Sequence, residues 1–321
     1  MLVIQHAAAE RFRTVQYYAE LARRGISCLE APRGNPEKLR SAARSADVLW
    51  MARVLPSPFG LLGLMAANAR LVFDFDDALH LRSSRHGGKA SASKLFRFKL
   101  TLEAARRVAA GNAFLASEAG RMADPAKISV IPTVVNRDWY APRPVRGSGV
   151  FTLGWIGSRS TLRYLESLRG VLESFHALGR PWRLVVVSDA FPEWTHLPVE
   201  RRPWSLANEA RDLADFDVGL NPLDNDDWCR GKCALKAVQS MAAGSAVLGS
   251  PVGVNLELIE TGATGFLPAT KEEWVTSLAR LSADPEGVTR MGRMARERIL
   301  QTHTMEARVD AVERLLREAA E

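Results

Sequence analysis

The sequence predicts an α/β protein made of two doubly wound halves, each a parallel sheet covered by helices on both faces. Three observations lead there. The chain has 321 residues, about two domains' worth at roughly 150 residues each. Short apolar runs alternate with amphipathic stretches along its length, the order that parallel sheets require. The alternation is interrupted once, at YAPRPVRGSG over residues 140–149, and then restarts. That stretch is rich in proline and glycine, lacks periodicity, and reads as a linker.

The elements follow in order. MLVIQ reads as the first strand, and residues 15–24 as a helix stopped by Gly25. ISCLE is a second strand. Asn35 and Pro36 supply a cap and a first-turn proline for a helix ending at Ser45. DVLWMAR and ARLVFDF are strands with a helix between them, and KISVIPTVV is another strand. After the linker, FTLGWIG, RLVVVS, FDVGLNPL and AVLGSP read as strands. Helices are expected over residues 160–178, 205–214 and 231–243, and a short one over 255–260 capped by Asn255. Thr270 and Glu273 make a capping box. Asp284 and Pro285 open a further helix, and residues 304–320 form the last, with an apolar stripe at Val309, Val312, Leu315 and Leu316.

Composition narrows the function classes. Hydrophobic residues make up 47% and charged residues 25%, ordinary for a globular chain and foreign to disordered, collagenous or coiled-coil proteins. Three cysteines are too few and odd in number for a disulfide scaffold. Cys229 and Cys233 have no second pair and no patterned histidines, so no zinc site is expected. No apolar run reaches the roughly 18 residues of a membrane span. The first residues do not read as a signal peptide, so the expected address is the cytoplasm. The eight tryptophans lack basic interleaving, which leaves no nucleic-acid motif.

Chemistry is expected at strand ends. GWIGSRSTLRYL places Gly157, Ser158 and Arg159 between a strand and a helix start, where close backbone approach, free N–H groups and a cation make a diphosphate cradle. The spacing is not the dinucleotide fingerprint, and a plain structural turn would read the same way. Lys232 and Lys236, four apart, are expected on one face at a helix start, with Gln239 one turn on. Gly253, Val254 and Asn255 form a loop before another helix start, able to bind phosphate or sugar hydroxyls. Three such loops in one half-chain favour a nucleotide-sugar or similar diphosphate ligand.

Those segments carry a resemblance. GWIGSRSTLRYL, FDVGLNPL and RGKCALKAVQSMAAGSAVLGSPVGVNLELIETGATGFL resemble the donor half of retaining family-4 glycosyltransferases, which have the GT-B fold. RFRTVQYYAELARRGI, DVLWMARVLP, LVFDFDDALH and ISVIPTVVNRDWY are similar to a bacterial subgroup of that family. The resemblance implies two Rossmann-like domains facing each other across a cleft. Residues 1–143 would bind acceptor, 144–300 would bind donor, and 301–321 would return to the first domain. It implies sugar transfer from a nucleoside-diphosphate donor with retained configuration, with no metal and no cofactor beyond the donor.

The family pairs two glutamates eight positions apart. Gln239 stands at the second position and Gly231 at the first. By resemblance Lys232 and Lys236 take over as diphosphate ligands, Gln239 bonds a ribose hydroxyl, and Glu257 matches a family glutamate or serves as a first-turn acid. Asp76 and Asp77 are assigned to the acceptor side of the cleft, with a helix cap or an ion site as the plain alternatives. Three adjacent carboxylates repel, so one is expected to have a raised pKa unless a cation compensates. His80 reads as structural.

The net charge of +7 sits in one place. Residues 82–107 hold eight bases and one acid, suited to an anionic membrane surface or an acidic partner. RSSRHGGKASASK reads as a loop. In KLFRFKLTLEAARR, Leu95, Phe98 and Leu102 make a stripe that faces either a bilayer or the first domain's own sheet. The expected partners are a nucleotide-sugar donor, a glycan or lipid-linked acceptor and this anionic surface, at the inner face of a membrane. The alternatives are a nucleotide-sugar epimerase on the same fold and a non-catalytic glycosyltransferase-like subunit.

Overall fold

The computed structural model describes residues 1–7, 11–31, 35–68, 70–84, 89–141 and 149–321. Most of the expected linker, and the centre of the RSSRHGGKASASK loop, lie outside these residues. Among the described residues the chain divides into two compact units. One comprises Met1–Val134, Asp226–Cys233 and Met305–Glu321; the other comprises Val135–Asn225 and Ala234–Thr304.

The first unit runs β1 (Leu2–Ala7), α1 (Tyr18–Arg23), β2 (Ser27–Glu30), α2 (Pro36–Ser45), β3 (Val48–Ala52), α3 (Pro58–Ala67), β4 (Leu71–Phe75), α4 (Ala92–Ala104), β5 (Arg107–Ala110), α5 (Ala113–Gly120) and β6 (Ile128–Val130). Its six strands are parallel in the order β2-β1-β3-β4-β5-β6. The central strands β3 and β4 are buried throughout, as strands covered on both faces must be. One face packs Leu49, Met51, Phe73 and Phe75 against Leu39, Leu61, Leu64, Phe98, Leu102 and Leu115 from the helices. The other packs Val48, Trp50 and Val72 beneath Val309, Val312, Leu315 and Leu316. Those four belong to α14 (Met305–Ala320).

The second unit runs β7 (Phe151–Ile156), α6 (Leu162–Glu166), α7 (Arg169–His176), β8 (Trp182–Ser188), β9 (Val199–Pro203), α8 (Glu209–Ala214) and β10 (Val218–Asn221). Next in sequence comes α9 (Asp227–Arg230), which belongs to the first unit. The second unit resumes with α10 (Leu235–Ala242), β11 (Ala246–Gly249), α11 (Asn255–Leu258), β12 (Gly265–Phe266), α12 (Lys271–Ala283) and α13 (Pro285–Thr302). Its strands are parallel in the order β12-β11-β10-β7-β8-β9.

Local signals account for many of these boundaries. The Asn35 side chain accepts from the Lys38 N–H, and Asp284 does the same for Gly287. Both halves of the Thr270–Glu273 capping box are present.

Four expectations are corrected. The helix foreseen over 160–178 is broken into α6 and α7, with the Ser167 hydroxyl donating back to the Tyr164 carbonyl. The helix foreseen over 231–243 begins only at Leu235, because Ala234 is left-handed with φ of 49°. Lys232 and Lys236 therefore share no helical face. Asn255 does not cap α11; it is the first residue inside it and its amide is used elsewhere. The α4 stripe is no bilayer face, since Phe98 and Leu102 are fully buried in the first unit's core. Strands β5, β9 and β12 were not foreseen. β9, VERRP, is charged and ends in proline, which its position at the sheet edge tolerates.

Candidate active site

In a doubly wound sheet ligands bind beyond the carboxyl ends of the strands, where the strand order reverses. In the second unit that reversal falls between β7 and β10. The loops after β7, β10 and β11 therefore stand side by side at one end of the sheet.

Gly157 opens the first loop. Its N–H donates to the Val187 carbonyl at 3.0 Å. A Cβ there would lie 2.2 Å from Trp155 Cη2, so only glycine fits. Ser158 N–H donates to Thr161 Oγ1 at 3.2 Å, and Arg159 N–H to Asp189 Oδ1 at 2.7 Å. The loop is thus fixed by its own backbone while the Arg159 side chain is exposed and, among the described residues, makes no ion pair. Lys236, in the first turn of α10, lies over the Trp155 ring at 5.3 Å from its centroid.

The β10 and β11 loops are tied together. Ser250 Oγ accepts from the Leu223 N–H at 2.9 Å. Buried Asn255 accepts from Asn221 Nδ2 at 2.6 Å and donates to the Ser250 carbonyl at 2.9 Å. Gly253 is left-handed, with φ of 55°, and Val254 is buried beneath the turn. Arg163 of α6 reaches Asp224 at 2.8 Å, joining the β7 and β10 sides. Glu257 is exposed on α11, and its carboxylate makes no ion pair among the described residues.

Gln239 is buried, and its amide donates to the Tyr140 hydroxyl at 3.1 Å. Tyr140 in turn donates to Glu209 Oε1 at 2.9 Å, and Trp204 Nε1 donates to Glu209 Oε2 at 3.0 Å. The Gln239 amide nitrogen thus already holds an internal network, a use that its helical position did not reveal.

In the first unit the acids follow β4. Asp74 is buried and receives Arg13 Nε at 2.9 Å, Arg13 Nη2 at 2.6 Å and Trp50 Nε1 at 3.2 Å. Burial pushes its carboxyl above the usual range, and Arg13 opposes the rise. For Arg13 burial works against the charge, but Asp74 and Asp76 outweigh it and hold the guanidinium protonated. Arg53, after β3, places Nε 3.1 Å from Asp76 Oδ1 and bonds Asp77 through Nη2. Arg53 is itself left-handed, with φ of 57°. Such a conformation costs a non-glycine residue about 1–3 kcal/mol and persists where surrounding contacts hold it. Thr133 Oγ1 donates to Asp76 Oδ2 at 3.4 Å. Among the described residues neither Asp76 nor Asp77 stands at a helix N-cap.

The stretch Asp226–Cys233 completes this cluster. Lys232 Nζ stands 3.8 Å from Asp77 Oδ1 and 5.0 Å from the Trp228 ring centroid. Asn112 Nδ2 donates to the Lys232 carbonyl at 3.2 Å. Cys233 is buried with its sulfur over Gly111, where a Cβ would come within 2.4 Å of it. Burial, then Asp76, pushes its thiol pKa well above the ordinary value. These contacts were not foreseen, because they join residues distant in sequence. No group of three or more His, Cys, Asp or Glu side chains among the described residues is placed to hold a metal ion.

Residues 159–314 match a family model described as glycosyl transferase-like. A curated relative is the D-inositol 3-phosphate glycosyltransferase of Gordonia bronchialis, 26% identical over 232 residues, 62% of this chain and 49% of that protein. The chain thus spans about half the length of the curated relative it matches. Among solved structures, sucrose-phosphate synthase from Thermosynechococcus elongatus is similar over 98% of both chains at 15% identity, with a TM-score of 0.69. The Anabaena protein HepE in complex with UDP and glucose is similar over 98% of this chain and 99% of its own, at 14% identity and a TM-score of 0.69. At those identities the likeness carries the fold. The chain has the GT-B fold, and its match to the glycosyl transferase-like family model is confined to residues 159–314, just under half of the chain.

Proposed function

We propose that this chain is a retaining glycosyltransferase, moving a sugar from a nucleoside-diphosphate donor to a glycan or lipid-linked acceptor in cell-surface polysaccharide or glycoconjugate synthesis. The observation that carries the reading is the row of three loops at the strand-order reversal of the second unit, with Arg159 exposed beside them. The cations of Arg159 and Lys236 supply the charge a diphosphate needs. The N–H groups of residues 157–159, foreseen as phosphate donors, instead bond Val187, Thr161 and Asp189 and fix the loop that carries Arg159. Residues 253–255 serve the sugar and ribose side, and Glu257 the donor sugar. Gln239 acts by positioning, through its bond to Tyr140. Lys232 is the second diphosphate cation if it leaves Asp77; otherwise it steadies that carboxylate. Asp76 and Asp77 accept hydrogen bonds from the acceptor hydroxyl.

Thermal shift with a panel of nucleoside diphosphates and their sugars, beginning with UDP because HepE holds it, tests the donor site. At least one is expected to stabilise the protein. Calorimetry should then show Lys236→Ala binding it more weakly by about 1.5–3 kcal/mol, the range for hydrogen bonds to charged groups. If no nucleotide stabilises the wild type, the reading falls.

One observation favours a second reading, a non-catalytic glycosyltransferase-like subunit. Both positions of the paired-glutamate signature are occupied otherwise, by Gly231 and Gln239. Nucleotide binding with no donor turnover under any acceptor would select it.

A further inference from the structure

Helix α3 has the sequence PFGLLGLMAA, without a single charged or hydrogen-bonding side chain. A helix apolar all round normally lies inside a core or a membrane. This one lies on the surface. Leu61 and Leu64 are buried beneath it, while Phe59 is 86% exposed and Leu62 65% exposed. Phe59, Leu62 and Ala66 fall on one outward stripe, with exposed Ala66 closing it. On α4, Phe96 adds a further exposed ring, at 56%. Ten residues rise only about 15 Å, half the thickness of a bilayer's hydrocarbon core, so α3 cannot span one.

Bases border this helix on both sides. A Cβ added at Gly63 would lie 3.4 Å from Arg40 Cδ, so the Arg40 stem runs along α3 from the α2 side. On the other side Arg97 Nε donates to the Pro56 carbonyl at 2.9 Å, holding α4 to the entry of α3. The outer surface of α2 carries a shallow hollow lined by Glu37, Lys38, Arg40, Ser41 and Arg44, three cations against one acid. An apolar stripe beside a cationic hollow is complementary to acyl chains beside anionic headgroups, with long basic side chains reaching outward.

We propose that α3 is an interfacial anchor: Phe59 and Leu62 enter the acyl boundary of an anionic bilayer while Lys38, Arg40 and Arg44 take its phosphate headgroups. The face lies on α2 and α3 rather than on the buried stripe of α4. The glycine pair Gly60 and Gly63 keeps the helix slim beside its neighbours and leaves Phe59 and Leu62 as its protruding groups.

Co-sedimentation of the full chain with vesicles of phosphatidylglycerol and phosphatidylcholine, against phosphatidylcholine alone, tests the proposal. Wild type should bind the anionic vesicles, and salt should weaken that binding. Phe59→Ser/Leu62→Ser removes exposed groups only, so its melting temperature should hold while binding falls about tenfold or more. Lys38→Gln/Arg44→Gln should lose binding and salt dependence together, whereas Leu206→Ser, exposed in the other unit, should bind as wild type. Absence of wild-type binding, equal binding to neutral vesicles, or undiminished binding by the Phe59→Ser/Leu62→Ser variant would overturn the proposal. So would light scattering that shows a wild-type dimer which the same variant abolishes, because the face would then belong to a second copy. Vesicle binding is read without turnover, so its outcome is separate from that of the nucleotide screen.

Discussion

A Cβ at Gly231 would stand 2.8 Å from the Cβ of Ala78 and 3.2 Å from its backbone nitrogen. The stretch that precedes α10 lies directly on the turn that follows Asp76 and Asp77. No side chain fits at the very position where the resembling family carries its first glutamate. Gly231→Ala is expected to destabilise by about 1–3 kcal/mol through overpacking, and Ala78→Gly should restore much of that. Urea unfolding of the two single variants and the double variant measures both. Additive losses would mean the two positions do not touch.

Arg53 yields a second prediction, because its guanidinium and its backbone can be separated. Arg53→Ala keeps the left-handed backbone and loses the bonds to Asp76 and Asp77. Arg53→Gly loses the same bonds but relaxes the backbone. Arg53→Gly should therefore be the more stable of the two by about 1 kcal/mol. Equal stabilities in urea would show that the conformation carries no strain.

Much of the fold could be read before the structure, and the reasons are local. Asn35–Pro36, Thr270–Glu273 and Asp284–Pro285 bond within one turn of themselves, so three or four residues contain the whole signal. The site was legible only in part. Residues 157–159 hold their loop through near neighbours and Asp189. Lys232 and Lys236, by contrast, are parted by a left-handed alanine, and alanine is the best helix former, so nothing in the composition marks the break. Periodicity finds the stripe of Leu95, Phe98 and Leu102 but is silent on what it faces. The burial of Phe98 against Phe73 and Phe75 decides that.

The acids should separate binding from chemistry. Asp76→Asn and Asp77→Asn are expected to cut sugar transfer while nucleotide affinity stays nearly unchanged, since the loops proposed to hold the nucleotide lie in the other unit. Turnover and calorimetry on the same preparations check this. Wild-type turnover in both variants would leave the cluster a structural one, built on Arg13, Arg53 and Lys232.

His80 predicts a pH dependence of stability. Its ring is buried at 5.0 Å from the Phe98 centroid, and neither nitrogen has a hydrogen-bond partner among the described residues. Burial lowers its pKa; Glu118, 3.7 Å from Nε2, and Asp227 pull the other way. The folded state thus gives up its proton below the unfolded value of about 6.5. Between the two values the unfolded chain binds more protons, so stability falls as pH drops through that window. His80→Phe, which keeps the ring packing, should flatten the slope of melting temperature against pH between 7 and 5. An unchanged slope would place the titration elsewhere.

Gln239 allows the sharpest test of why the signature glutamate is missing. Its amide is the donor to Tyr140, whose single proton is already given to Glu209. In Gln239→Glu the network holds two carboxyls facing one hydroxyl, and an acceptor is left without a donor. The cost is expected at about 1–3 kcal/mol, the penalty for an unsatisfied buried group. Burial and the neighbouring Glu209 would raise the new carboxyl's pKa. The folded form then binds the extra proton, so the loss should be largest near pH 8 and shrink as pH falls towards the ordinary carboxylate range. Adding Glu209→Gln exchanges the roles: the new glutamine donates to Tyr140, Tyr140 donates to the new glutamate, and the Trp204 N–H keeps an amide oxygen as acceptor. The double variant should therefore recover most of the stability and lose the pH dependence. Denaturant unfolding at pH 5 and pH 8 for the full cycle measures the coupling. A double variant no more stable than Gln239→Glu alone would show that the missing donor is not what excludes glutamate from this position.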